Sequence, residues 1–233
     1  MSRLCTILAR GGSKGVPNKN VRILAGKPLI AHSILRAKES GLFDAVAVSS
    51  DSAEILRIAE TFKADHRIMR PIEMATDTAP KIPAVRHAVT ESERLSGKSF
   101  EIICDLDPTS PFRSAEDIRA AVRMCETEPG RANVITGAPS RKSPYFNMVE
   151  IDAHGAVGLS KRPPAQVVRR QDAPKCYDMN ASIYVWKREA LFAEDHLFNP
   201  MTKLYAMPPE RSVEIDSELD FILAEAWAAK GHL

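Results

Sequence analysis

Several kinds of protein are excluded by what this chain lacks. No segment approaches the roughly 20 consecutive apolar residues of a membrane span, and the N-terminus has no long apolar stretch of the signal-peptide kind. The expectation is a cytoplasmic protein without a membrane partner. Four cysteines occur, Cys5, Cys104, Cys125 and Cys176, with no CxxC pair and no histidine at zinc-ligand spacing from them. Cys5 and Cys104 sit in apolar runs and read as small core residues. Neither charge dominates: 32 Lys and Arg against 30 Asp and Glu leave a net charge of +2. There is no polyanion-binding signature, so no nucleic-acid partner is expected, and affinity for a nucleotide must come from local cations. The six histidines are scattered and suggest neither a triad nor a metal set. Both standard phosphate motifs, GxxxxGK[ST] and GxGxxG, are absent.

What is present is a regular alternation of short apolar runs and amphipathic stretches. Leu4 to Ala9 reads as a strand, Pro28 to Ser40 as a helix, and Ala45 to Ser50 as a second strand. Asp51 or Ser52 can cap the helix that carries Ile55, Leu56, Ile58 and Ala59. Further along come a helix over Ile82 to Leu95, a buried strand over Phe100 to Leu106, a helix over Ala115 to Cys125 and a strand over Ala132 to Ala138. Strand then helix, repeated, predicts crossover units on a mostly parallel sheet. After Pro139 the pattern changes. Residues 140–180 are rich in Pro, Arg and Lys with only short alternating runs, such as Phe146 to Ile151, which predicts an antiparallel excursion from the sheet. Ser182 to Trp186 reads as a strand again. Ser217 to Lys230 reads as a terminal helix with Leu219, Phe221, Ile222, Leu223 and Trp227 available for packing. The length of 233 residues suits one domain, 1–233, with an inserted arm at about 140–180.

The segment Leu8-Ala9-Arg10-Gly11-Gly12-Ser13-Lys14-Gly15-Val16-Pro17-Asn18-Lys19-Asn20 carries most chemistry. Glycines directly after a strand let backbone N–H groups approach an anion. Arg10, Lys14 and Lys19 add three cations, and such donors suit a triphosphate. The alternative is a solvated basic turn, but ligands of α/β sheets gather at the carboxyl ends of strands. Glu214 and Asp216, two residues apart, put both carboxylates on one face of an extended segment. A pair of hard oxygen ligands suits Mg²⁺, with phosphate and water oxygens completing its octahedron. The alternative is that they cap the terminal helix, where Asp216 or Ser217 can serve as N-cap.

The loop resembles the first signature of the acylneuraminate cytidylyltransferase family, which makes CMP-sialic acids. Four further blocks resemble that family in order: Arg70-Pro71 with Ala75 and Asp77-Thr78; Asp107-Pro108-Thr109-Ser110-Pro111-Phe112-Arg113; Asn180-Ala181-Ser182-Ile183-Tyr184; and Glu214-Ile215-Asp216-Ser217-Glu218-Leu219-Asp220. Lys81 in Ala79-Pro80-Lys81-Ile82-Pro83, the run Asn147 to Ile151 after Pro144-Tyr145-Phe146, and Arg170 to Asn180 resemble the branch that acts on N,N'-diacetyllegionaminic acid.

The resemblance implies a Rossmann-like α/β nucleotidyltransferase in three layers, with a small antiparallel dimerisation arm. It implies transfer of CMP from CTP to the anomeric hydroxyl of a nine-carbon keto-sugar acid, with Mg²⁺ as cofactor and pyrophosphate as product. Arg10, Lys14, Lys19 and Asp216 would be catalytic. Gly11, Gly12, Ser13, Asn20, Arg70 and Lys81 would join Arg10, Lys14 and Lys19 around the nucleotide. Asp107, Tyr145, Phe146, Arg169, Arg170 and Asn180 would meet the sugar, the two arginines as candidates for its carboxylate. Asp216 and Glu214 would hold the metal. Related enzymes bury the arm across a homodimer. This chain departs from the family's pattern at Lys81, where sialic acid enzymes have a small hydroxyl residue, at Asp107, where they tend to have glutamine, and at Glu214, where the family normally has aspartate. A second enzyme reading is CMP-N-acetylneuraminate synthesis or activation of another keto-sugar acid, and the reading from another class is an inactive nucleotide-binding regulatory protein on the same scaffold.

Overall fold

A computed structural model describes residues 1–13, 15–130, 132–162 and 169–233, the side chain of Arg170 excepted. In chain order the elements begin with β1 (Arg3–Leu8), a short hairpin of β2 (Ile23–Leu24) and β3 (Lys27–Pro28), α1 (Leu29–Ser40) and β4 (Ala45–Ser50). Next come α2 (Ala53–Thr61), β5 (His66–Met69), α3 (Lys81–Ser96), β6 (Ile102–Leu106), α4 (Ala115–Thr127) and β7 (Asn133–Pro139). The chain continues through β8 (Val149–Ile151), β9 (Val157–Leu159), β10 (Tyr177–Lys187), α5 (Arg188–Ala193), β11 (Lys203–Ala206) and α6 (Glu218–Ala229).

Seven strands form one sheet in the order β11-β7-β10-β6-β1-β4-β5. All pairings are parallel except those of β10, which runs antiparallel to β6 and β7. Strand parity sorts the core into two layers. Cys5, Ile7, Val46, Val48, Ile102 and Cys104 face α1, α2 and α4. Leu4, Ala45, Ala47 and Ile103 face α3 and Leu191 of α5. This is the three-layer α/β arrangement that alternating strands and helices predict. From β1 the chain proceeds outward to β4 and β5, then returns to place β6 on the other side of β1. A crevice therefore opens at the carboxyl ends of these strands.

Helix starts follow the capping residues. Ser52 accepts from the Ile55 amide and starts α2, while Ser114/Asp117 and Ser217/Asp220 form capping boxes on α4 and α6. The terminal helix differs from its sequence reading in packing. Phe221 and Ala224 are buried, but Leu219, Ile222 and Leu223 are exposed at 64%, 57% and 55%. The helix is apolar around most of its circumference, and only one face meets the body, through a third cluster with Val16, Leu24, Phe112 and Ile215. The strand expected at Ser182 to Trp186 extends back to Tyr177, interrupted by a register shift between Met179 and Tyr184. There Ala181 takes a left-handed φ of 49°. The region 140–180 contains the antiparallel hairpin β8–β9, separate from the main sheet. All four cysteines are free, and Cys5 and Cys104 are buried as expected. Among the described residues no helix is long and apolar enough to cross a membrane.

Candidate active site

A cleft of about 290 Å³ lies at the carboxyl edge of the sheet, lined by the ends of β1, β5 and β6 and the start of α3. Arg10, Gly12, Ser13, Lys19, Asn20, Arg70, Lys81 and Asp107 all reach it. The residues that the sequence assigns to a nucleotide therefore share one cavity, apart from Gly11 and Lys14. Lys14 lies outside the described residues. The Gly11 amide donates to Asp51 Oδ1 at 2.9 Å, so Asp51 fixes the loop's first turn.

The cations of the cleft differ in what they touch. Arg10 is ion-paired with Asp77. Lys19 is buried; its ammonium donates to the Ile215 carbonyl at 2.5 Å and to Asp216 Oδ1 at 3.1 Å. Asn20 pins the loop through a 3.0 Å bond from Nδ2 to the Arg10 carbonyl. Arg70 is buried, and its Nε has no hydrogen-bond partner among the described residues. Burial pulls its pKa down, against the attraction of Asp51 and Asp105.

Close backbone packing brings the C-terminal carboxylates to this loop. A Cβ on Gly15 would lie 2.0 Å from the Asp216 carbonyl oxygen, so only glycine lets the two segments touch. The Ile215 amide donates to the Thr109 carbonyl at 2.9 Å, locking the same segment to the turn after β6. Ile215 is buried between its neighbours, and Asp216 is exposed. Burial, then the charges of Asp216 and Asp107, push the Glu214 carboxyl up to about 7. A cation relieves such crowding of a half-buried carboxylate by its neighbours. Among the described residues no three side chains form a metal cage. Mg²⁺ carried with a nucleotide characteristically uses only one or two carboxylates plus phosphate oxygens, which this pair fits.

Lys81, at the first position of α3, faces carboxylates. Its Nζ lies 3.0 Å from Asp105 Oδ2, 3.2 Å from Asp107 Oδ2 and 4.0 Å from the centre of the Tyr184 ring. Burial opposes its charge, but the two aspartates hold the ammonium well above the lysine range. For Asp107 burial also opposes ionisation, yet Lys81 and the Thr109 amide and hydroxyl outweigh it and hold the carboxyl below its usual range. Behind this group sits the fully buried Arg113, bonded to Ser182 Oγ and Ser33 Oγ at 2.9 Å each and to the Asp107 carbonyl. Burial pulls its pKa down to about 10.

The expected sugar residues are less concentrated. Asp107 lines the cleft; the other described members of the set do not. Asn180 is buried and its amide is engaged inside the fold, Oδ1 accepting from Thr136 Oγ1 at 2.7 Å and Nδ2 donating to Ser212 Oγ at 2.9 Å. These bonds hold the irregular turn of β10, which is why the side chain points inward. Arg169 is exposed and pairs with Asp172 at 2.9 Å, and the side chain of Arg170 lies outside the described residues. Tyr145 and Phe146 stand in the segment before β8, Tyr145 with Lys161 Nζ 5.8 Å from its ring centre. Sequence reasoning gives no site role to Asp51, Asp77, Asp105 or the ring of Tyr184, although Asp51 reads there as a helix cap and Asp77 and Tyr184 fall in the family's blocks. Asp105 had a signal: a carboxylate at the centre of the apolar run Ile102-Ile103-Cys104-Asp105-Leu106 needs a partner, and its register neighbour Thr6 supplies one at 2.7 Å.

A Rossmann-like sheet with a cationic, glycine-rich loop after β1 and a carboxylate pair drawn against it defines an α/β nucleotidyltransferase. The profile described as Cytidylyltransferase matches residues 4–223, and the chain belongs to that family. It is 44% identical to the post-translational flagellin modification protein B of Campylobacter coli, over 95% of this chain and 93% of that one. It is 43% identical to the CMP-N,N'-diacetyllegionaminic acid synthase of Campylobacter jejuni, over 95% and 93%. In fold it matches a CMP:2-keto-3-deoxy-manno-octonic acid synthetase complexed with CTP, with a TM-score of 0.70 at 16% identity, covering 99% of this chain and 100% of that one.

Proposed function

We propose that the protein transfers CMP from CTP to the anomeric hydroxyl of a nine-carbon keto-sugar acid, releasing pyrophosphate, and that the preferred acceptor is N,N'-diacetyllegionaminic acid. The observation that carries the reading is the contact of the loop after β1 with the segment 214–216, through Lys19 and Gly15, in a chain of this family. The acceptor follows from the relative at 43% identity named for that sugar.

The triphosphate takes the cationic part of the cleft. Gly12 and Ser13 offer amides, Arg10 exchanges Asp77 for a phosphate, and Arg70 supplies a buried guanidinium. Lys14 belongs to the same loop. Asp216 and Glu214 would hold Mg²⁺, which would supply neutralisation of phosphate charge and polarisation of the α-phosphate. The acceptor hydroxyl attacks the α-phosphorus and gives up its proton to solvent, the bond to the bridging oxygen breaks, and the cations offset charge gathering on the departing pyrophosphate. Holding the two substrates in line is the larger contribution of the fold.

The domain is a single unit with the arm at about 140–180, and the arm pairs two copies. Arg169 and Arg170 are the candidates for the sugar carboxylate, and Tyr145, Phe146, Met148 and Met179 for an apolar surface against its less polar tail. Tyr145 is half-buried, and Phe146, Met148 and Met179 are exposed at 38%, 40% and 43%, leaving area to cover.

The test is pyrophosphate release from CTP, with and without Mg²⁺, across a panel of acidic sugars. The expected result is turnover that requires Mg²⁺, with kcat/KM highest for N,N'-diacetyllegionaminic acid. Residual activity on N-acetylneuraminic acid is expected, because an apolar pocket rejects an added hydroxyl only by about 10²-fold. Equal kcat/KM for the two sugars would overturn the acceptor assignment alone. No pyrophosphate with any of them would overturn the reaction.

A further inference from the structure

The cleft is electrically divided. One part carries the loop cations and Arg70, and the other carries Lys81 between Asp105 and Asp107. An ammonium has three N–H donors. Here the two carboxylates approach Lys81 Nζ within 3.2 Å, and the Tyr184 ring covers a further side. Lys81 and the buried Arg113 behind it balance the two carboxylates, so this part carries no surplus positive charge for a phosphate. The start of a helix also disfavours a cation. Arg10, Lys19 and Arg70 stand elsewhere along the same cavity.

We propose that Lys81 is a positioning residue for Asp107, and that the Asp107 carboxylate it orients accepts a hydrogen bond from a hydroxyl or amide N–H of the sugar acid. The assignment rests on the functional reading above and makes its acceptor site specific: it admits a donor group and turns away the sugar's own carboxylate.

The anchoring of Asp107 is built for this. Its Oδ1 is fixed by the Thr109 amide at 3.1 Å and the Thr109 hydroxyl at 2.9 Å. Its Oδ2 is fixed by Lys81 at 3.2 Å, and its backbone carbonyl by Arg113. Oδ1 is filled by its two donors, whereas Oδ2 has one, so one acceptor site remains on Oδ2 for a ligand. The carboxylate is part-exposed, at 26%, and lines the cleft. Asp105 plays the other part. It is fully buried, with Oδ1 taken by Thr6, and it fixes the ammonium from behind. A carboxylate held ionised in this way cannot donate, so it reads only donors on the ligand.

The experiment uses the whole protein with Asp107→Asn, Lys81→Met and the double variant. Binding of CTP with Mg²⁺ alone is followed by calorimetry, and turnover is measured against N,N'-diacetyllegionaminic acid at saturating CTP. The expected result is CTP affinity within about twofold of the parent in each variant, and a sugar KM raised about tenfold or more, the size of one charge-assisted hydrogen bond. The double variant should be no worse than the poorer single one, since the pair serves one contact. Lys81→Met leaves Asp105 buried without its cation and is the variant at risk of misfolding. Asp107→Asn keeps that ion pair and decides the question by itself. A sugar KM within twofold of the parent in Asp107→Asn would overturn the proposal, as would a tenfold loss of CTP affinity in a folded Lys81→Met variant with sugar KM unchanged. Failure of the functional reading is distinct, because it appears in the parent protein as absence of turnover.

Discussion

At the scale of single residues, the site depends on one position without a side chain. Gly15 lies so close to the Asp216 carbonyl that a methyl group would overlap it at 2.0 Å, and the obstructing atom is backbone, which cannot rotate away. Gly15→Ala should therefore move the loop off the segment that carries Glu214 and Asp216. Displacements near 1 Å in a positioned site lower rates by about 10²-fold. The expected outcome is a fall in kcat/KM of about that size, measured by pyrophosphate release, in a protein whose circular dichroism matches the parent. Activity equal to the parent's would show that the contact is dispensable. Nothing in the sequence marks this glycine above Gly11 or Gly12; its requirement comes from a partner about two hundred residues away, a separation sequence periodicity does not encode.

At the scale of elements, Asp117 joins three parts of the fold. It closes the capping box of α4, accepts from Arg211 at 2.7 and 2.9 Å, and lies 3.2 Å from the Tyr205 hydroxyl of β11. Burial raises a carboxyl's pKa, but the bonds from Arg211 and Ser114 outweigh it here, and Asp117 titrates below its ordinary range. A folded pKa below the unfolded one stabilises above the unfolded value, about 3.9 for Asp, and that stability is lost as pH falls through the folded value. Arg211→Met should thus destabilise by about 1–3 kcal/mol at neutral pH, the loss expected for a charged hydrogen bond to a buried group. Urea melts of parent and variant should converge as pH drops below about 4. A difference independent of pH would assign the effect to packing alone. The capping boxes behind such elements are legible in the sequence, as Ser114 with Asp117 and Ser217 with Asp220, and helix starts there agree with expectation to within a residue. Short elements are not. β5, β11 and the β2–β3 hairpin have four residues or fewer per strand, too few for periodicity to show. The terminal helix α6 stands where the sequence places it, but a helix apolar on several faces does not reveal which face meets the core.

At the scale of the molecule, the arm leaves an apolar sheet face uncovered. Val149 pairs with Leu159 and Ile151 with Val157, so all four side chains share one side of the hairpin. They are exposed at 56%, 41%, 71% and 65% respectively for Val149, Leu159, Ile151 and Val157. A two-stranded hairpin is marginal alone and gains stability by covering such a face. The proposed homodimer would cover it. Light scattering at micromolar concentration should give a dimer for the parent and a monomer for the double variant Ile151→Lys, Val157→Lys, with sugar KM rising in step if the arm contributes to the acceptor site. A monomeric, fully active parent would refute the arrangement.

The bond from Lys19 to the Ile215 carbonyl also sets an order in time. The two residues are 196 positions apart, and the loop's buried ammonium has its carbonyl acceptor only when both are present. During synthesis the strands β1, β4 and β6 and their helices can pair as they emerge from the ribosome. The loop after β1 must wait until residue 216 has been translated and has left the exit tunnel. Until then the Lys19 ammonium lacks both the Ile215 carbonyl and the Asp216 carboxylate, however much of the sheet has formed.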